Sequence, residues 1–226
     1  MDRLKVVKEI RSQLGGGGYS MGSWMQIPDA SVAEIMGNAG YDWVVIDMEH
    51  GSISASQLPD LFRALELGNT LPLARIAQGK SKDCKQALDA GAGGVIVPMV
   101  ESAKQLIEVR ESCRWPPAGN RGVGFSRANL FGHNFEAYYS EAQCPLLVGM
   151  IEHMTALDNL EEILSVDGLD AIMIGPYDLS ASMGITAEFD SDLFQSTMKR
   201  IQRLCTVNNV PCGVHIVKPD RAALKK

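Results

Sequence analysis

The chain lacks a basic stripe. Its 21 Lys and Arg are scattered against 27 Asp and Glu, for a formal charge of −6, which argues against a role in neutralising nucleic-acid phosphates. It also lacks any apolar run near the roughly 20 residues a membrane span requires. The N-terminus, Met1-Asp-Arg-Leu-Lys-Val-Val-Lys8, has a charged helical pattern and no apolar segment of signal-peptide type. Five cysteines (Cys84, Cys113, Cys144, Cys205 and Cys212) form no C-x-x-C pair and no metal-finger spacing. An odd, widely spaced set suits reduced thiols. Internal repeats and low-complexity tracts are missing too. The expectation left by these absences is a cytoplasmic protein whose residues 1–226 form one domain, with enough hydrophobic residues for a single substantial core.

What is present is an alternation of helix-like and strand-like segments. Helical patterns cover 2–14, 30–39, 55–67, 80–90, 101–113, 155–165 and 191–208. Ser54 and Gln57 are placed to form a capping box for the third of these, and Gly91 ends the fourth. Between them lie strand-like runs at 19–25, 41–50, 71–76, 93–99, 145–152, 169–178 and 211–217. Successive βα units imply parallel strands, and their number points to a (β/α)₈ TIM barrel rather than an open sheet. Only seven strands are visible, so the eighth strand and helix are missing from this chain. Residues 114–143 are long and irregular, which is uncommon unless a loop is functional or carries short elements of its own.

Two of the runs end on a carboxylate: Pro145 to Glu152 and Leu169 to Asp178. Buried parallel strands deliver side chains to their C-terminal ends, where barrel active sites are built. Two acids facing one cleft make an oxygen-ligand site for a divalent cation. Helix capping is the bland alternative for each, and Asp178, followed by Leu-Ser-Ala-Ser, could do that. His50 closes the run 41–50 and is a natural general base, though a lone histidine is more often a surface or core residue. Arg75 lies in an apolar run, where a charge must meet either a core carboxylate or a substrate. Asp89 sits at a helix end, where an acid opposes the dipole, but a solvated acid explains it as well. His133, His153 and His215 share no metal spacing and read as core or surface residues. Gly15 to Gly18 is a turn, since it follows a helix and precedes a strand.

Taken together, Tyr41-Asp-Trp-Val-Val-Ile-Asp-Met-Glu-His-Gly51, Val97-Pro-Met-Val100, Asn120-Arg-Gly-Val-Gly124, Asp158-Asn-Leu-Glu-Glu-Ile163 and Ile174-Gly-Pro-Tyr-Asp-Leu-Ser-Ala-Ser-Met-Gly184 are highly specific. Over nearly its whole length the chain resembles the metal-dependent (class II) pyruvate aldolases, the family of 4-hydroxy-2-oxoheptanedioate and 2-keto-3-deoxy-sugar-acid aldolases in the phosphoenolpyruvate/pyruvate barrel superfamily. The resemblance implies a barrel, often hexameric, with a helix exchanged between protomers. It implies Glu152 and Asp178 as metal ligands, His50 as base, Asp89 as the acid partnering that histidine, and Arg75 as the enolate-stabilising group. Gly175 and Pro176 of the second metal motif join Arg75 as substrate-binding positions. Relatives often carry Gln where this chain has Met150, and Pro-Ala-Asp where it has Pro176-Tyr-Asp178.

The resulting expectation is a carbon–carbon lyase that reversibly cleaves a 4-hydroxy-2-oxo acid to pyruvate and an aldehyde, using Mg²⁺, Mn²⁺ or Co²⁺. Pyruvate and a small aldehyde are its partners, and a homo-oligomer its form. Two rivals stand beside it. One is Schiff-base chemistry on Lys218, since no lysine occurs inside a strand-like run. The other is a non-catalytic barrel that binds 2-oxo acids.

Overall fold

A computed structural model describes residues 1–217; Lys218 lies outside them. Seven strands run in the order β1 (Gly22–Met25), β2 (Trp43–Asp47), β3 (Leu71–Arg75), β4 (Gly94–Val97), β5 (Leu146–Ile151), β6 (Ala171–Ile174) and β7 (Cys212–Val214), each paired in parallel with its sequence neighbours. The helices are α1 (Arg3–Gly15), α2 (Ala30–Gly37), α3 (Leu58–Leu67), α4 (Ser81–Ala90), α5 (Ala103–Cys113), α6 (Phe135–Ala142), α7 (Met154–Asp158), α8 (Leu160–Leu164), α9 (Pro176–Ser182) and α10 (Asp192–Asn208). The sheet curls into a half-barrel that corresponds to a (β/α)₈ barrel without its eighth unit. Among the described residues β1 and β7 each pair on one side only.

Strand alternation sorts the apolar side chains into two layers. Val44, Ile46, Ala74, Val95, Leu147 and Ile172 pack outward under the helices. Val45, Leu73, Ile96, Val148, Met150 and Met173 fill the concave interior, as barrel strands do. Helix α1 closes the N-terminal end of that interior through Val7 and Ile10. Arg3 anchors it to Glu66 at 3.0 Å and Glu141 at 2.6 Å, and Arg11 to Asp170 at 2.6 Å. Continuing the alternation past the apolar residues aims Asp47, Arg75 and Glu152 inward at the C-terminal rim. The register confirms the first pair, with Asp47 directly opposite Arg75.

Several boundaries differ from expectation. Pro59 occupies the first turn of α3, so the helix begins at Leu58 with Gln57 as its N-cap. Ser54 and Gln57 still interact, with the Ser54 amide donating to Gln57 Oε1 at 2.9 Å, but this orders the preceding loop. The expected helix 155–165 is two short ones, α7 and α8, meeting at Asn159, whose side chain donates to the Glu101 carbonyl at 2.8 Å. Residues 114–143 hold a 3₁₀ segment (Arg127–Gly132) and α6. The largest correction concerns Asp178. Strand β6 ends at Ile174, and Asp178 lies in the first turn of α9. Pro176 explains this, because its fixed φ suits the first helical position and cannot extend a strand ladder.

Candidate active site

Arg75 is the hub of the rim. Its guanidinium is almost fully buried and donates from Nε to Asp47 Oδ1 at 2.9 Å, with a second bond from Nη2 to Oδ2. This forked, bidentate geometry is what arginine provides and lysine does not. Burial alone would push Asp47 upward, but the bonds from Arg75 and Gln26 outweigh it and hold the carboxyl at about 2. Nη1 approaches Glu49 Oε2 at 3.1 Å and the Met150 sulfur at 3.9 Å. Asp47 and Glu49 thus both reach Arg75, as their shared pleat face requires. Arg75 meets a core carboxylate, Asp47, and also lines the cleft.

Glu152 follows β5 and is 3% exposed. Its Oε1 accepts from the Met99 amide at 2.7 Å. Met99 takes a left-handed backbone at φ 48°, a conformation that costs a non-glycine residue energy and here aims its N–H at the acid. On the other side, a Cβ on Gly175 would fall 2.4 Å from Glu152 Oε2, so only glycine permits this approach. Burial, followed by the charges of Glu49 and Asp178, pushes Glu152 up to about 7 despite the Met99 bond and Arg75. Glu49 is also raised, first by burial, and its Oε2 is buried without a hydrogen bond.

The sign of the Glu152 shift gives a testable consequence. In metal-free protein this carboxyl holds its proton between about 4.5 and about 7, where the unfolded chain has lost it. The folded state then binds more protons, so stability falls as pH rises through that window. Urea unfolding of EDTA-treated protein will show this fall, and Glu152→Gln will flatten its share of the slope. Identical slopes in the two proteins would show that the carboxyl is not elevated.

Beside Glu152 and Glu49 lies a depression of ≈ 450 Å³ into which Asp47, His50, Arg75, Met150, Asp178 and His215 open. Gly175 and Pro176 line it as well. His50 is exposed; its backbone amide donates to Asp47 Oδ1 at 3.2 Å and its ring lies 3.9 Å from Glu49. Among the described residues the Asp178 side chain makes no hydrogen bond, and it opens to the depression. Tyr177 turns aside and packs edge-on against Phe189, with ring centroids 5.0 Å apart.

Of the residues expected here, Glu152, Asp178, Arg75 and His50 converge. Asp89 does not. It sits on the outer side of α4, where Arg121 donates to it at 3.2 Å, beside a separate depression lined by Ser56, Gln86 and Phe131. Burial raises its carboxyl while Arg121 and Lys85 oppose that rise. Sequence reasoning passed over Glu49 and Trp24 as site residues and read His215 as a core or surface residue. Glu49 could have been found from its place two residues after Asp47 on the same face. Trp24 and His215 carried no local signal, because their strands meet the site only through the curl of the sheet.

Residues 20–221 match the family described as HpcH/HpaI aldolase/citrate lyase. A hydroxypyruvate/pyruvate aldolase of Roseobacter denitrificans is 41% identical over 200 residues, covering 86% of this chain and 77% of that protein. A 2-keto-3-deoxy-L-rhamnonate aldolase of Escherichia coli is 36% identical over 217 residues, covering 94% and 80%. Among solved structures, an HpcH/HpaI aldolase/citrate lyase family protein from Burkholderia cenocepacia superposes with a TM-score of 0.88 at 28% identity, covering 96% of this chain and 87% of that one. Extent of match, fold and named relatives agree, and the chain belongs to the HpcH/HpaI aldolase/citrate lyase family as a carbon–carbon lyase of the aldolase type.

Proposed function

We propose that this aldolase is of the metal-dependent class and reversibly cleaves a 4-hydroxy-2-oxo acid to pyruvate and a small aldehyde. The observation that carries the reading is the electrostatic proximity of Glu49, Glu152 and Asp178 at the C-terminal rim, with Arg75 beside the first two. Among the described residues no three acids are preassembled as a metal-binding group, but Glu49 and Asp178 both act on Glu152, which is pushed up to about 7, a charge crowding that a hard divalent cation would relieve. Glu152 and Asp178 would hold Mg²⁺ or Mn²⁺, and the same donors accept Co²⁺. When bound, the cation would supply the Lewis acidity that favours enolisation of the pyruvyl group.

The chain's own residues do the rest. Arg75, already oriented by Asp47, shares the negative charge that develops on the pyruvyl oxygen. The tight turn at Gly175 and Pro176 lets the pyruvyl end approach the backbone. His50 moves the proton of the 4-hydroxyl, directly or through a water. The resemblance assigns Asp89 as partner to His50. Because one chain holds the two on separate surfaces, we assign that pairing to neighbouring copies in a homo-oligomer, of hexameric form by resemblance. Mixing inactive His50→Ala and Asp89→Ala chains is expected to restore part of the activity through mixed sites. No recovery after verified subunit exchange would refute the shared dyad.

The reading is tested by deuterium exchange into the pyruvate methyl group after EDTA treatment and after resupply of Mg²⁺ or Mn²⁺. Exchange is expected only with metal. Exchange surviving EDTA would move the chemistry to a Schiff base and to Lys218. No exchange in either condition would favour a barrel that binds 2-oxo acids without turning them over.

A further inference from the structure

One wall of the depression, away from Gly175 and Asp178, is built by Trp24, Gln26 and Ile27 at the end of β1 and by His215 and Val217 after β7. Trp24 is the last residue but one of β1, and its indole stacks on the His215 imidazole with ring centroids 4.4 Å apart and 17° between planes. The same indole lies under the Arg75 guanidinium, 4.7 Å from its centroid. The His215 amide donates to the Ile174 carbonyl at 3.1 Å, carrying the β6–β7 pairing one residue beyond Val214 and fixing the imidazole at the rim. The ring is half-buried and opens into the depression. Among the described residues neither ring nitrogen has a hydrogen-bond partner. Gln26, the other polar side chain that β1 sends to this wall, is committed to Asp47 at 2.7 Å and to the His50 carbonyl at 3.1 Å.

A half-buried imidazole stacked on an aromatic ring at the lining of a cavity, with no hydrogen-bond partner among the described residues, is a site for a ligand hydrogen bond. On the proposed function, on which this inference rests, the pyruvyl end lies against Glu152, Asp178 and Arg75. The aldehyde-derived end then extends toward β1 and β7. We infer that His215 is a specificity-determining residue that binds a hydroxyl group on the aldehyde, so that the enzyme prefers hydroxyaldehydes to alkyl aldehydes of the same size.

The choice of a hydroxyl over a carboxylate follows from charge. Burial and then the neighbouring Arg75 lower the His215 pKa, with Asp47 opposing them, which favours the neutral ring. A neutral imidazole donates one hydrogen bond and accepts one, which matches a hydroxyl. A carboxylate, which only accepts, could use half of that capacity. The flanking Ile27 and Val217 suit the carbon skeleton on either side.

The test is the ratio of kcat/KM for glycolaldehyde to that for propanal in aldol addition with pyruvate, since the two acceptors differ by a hydroxyl in place of a methyl. Wild-type protein is expected to favour glycolaldehyde, and His215→Leu to reduce the ratio about tenfold, the size of one neutral hydrogen bond. His215→Gln, whose amide also donates and accepts, is expected to recover part of the preference, which a purely structural role would not predict. An unchanged ratio in His215→Leu, or a wild-type enzyme that does not discriminate, would overturn the inference while leaving the aldolase mechanism standing. A wild-type protein that neither adds an acceptor nor exchanges the pyruvate methyl would overturn both.

Discussion

Replacing Asp178 with alanine is expected to lower kcat/KM for cleavage at least about 10³-fold, because Lewis-acid stabilisation amounts to several kcal/mol. The same substitution should leave the fold intact. Asp178 makes no capping hydrogen bond to α9, so the chain loses only the attraction of an acid to a helix N-terminus, about 0.3–1 kcal/mol. The pairing of a large catalytic loss with a small stability change separates a metal ligand from a structural acid. Calorimetric titration with Mn²⁺ completes the argument, since affinity should fall together with activity. Unchanged Mn²⁺ affinity and unchanged cleavage in Asp178→Ala would show that the second ligand lies elsewhere, with Glu49 the first candidate by position.

Arg75 gives the second large effect, and two substitutions are needed to read it. Arg75→Ala removes the cation that faces Asp47, whose side chain is 1% exposed, and leaves a buried carboxylate alone. Breaking such a pair costs about 3–5 kcal/mol, so loss of activity in this variant would be confounded by unfolding. Arg75→Lys keeps the charge but replaces the forked donor with a point charge that cannot serve Asp47 and the substrate oxygen at once. It is expected to stay folded and to lose about 10²–10³ in kcat, the range for removing one preorganised donor to a developing oxyanion. Pyruvate KM should move much less than kcat, because the lost interaction strengthens only as charge develops. Full kcat in Arg75→Lys would assign the arginine a purely structural task.

Met150 bears on both results. Its thioether sits 3.9 Å from Arg75, where relatives of the resembled family often carry a glutamine. With no amide at this position, Nη1 of Arg75 faces only a weak sulfur acceptor and the Glu49 carboxylate. Trp24, on which Arg75 also rests, holds the plane of the fork.

The amino-acid sequence alone determined the alternating βα order, because parallel strands buried on both faces need continuous apolar runs and the connecting helices carry a 3.6-residue period. It determined which charged side chains end those runs, and so the positions of Glu152 and Arg75, since alternation along a strand is a local property. Tertiary structure decided what local pattern cannot express. Pro176 ended β6 early and moved Asp178 onto a helix, yet the helix start lies close enough to the rim for the carboxylate to keep its place. The left-handed turn at Met99 and the close approach of Gly175 fixed Glu152 between two backbones, contacts between β4, β5 and β6 that no single segment encodes. The curl of the sheet set His215 of β7 against Trp24 of β1, residues at opposite ends of the strand order. It also carried Asp89 to a surface separate from the one that His50 lines. Strand periodicity is written within about ten residues, whereas the electrostatics of the rim depend on distances that exist only once all seven strands are side by side.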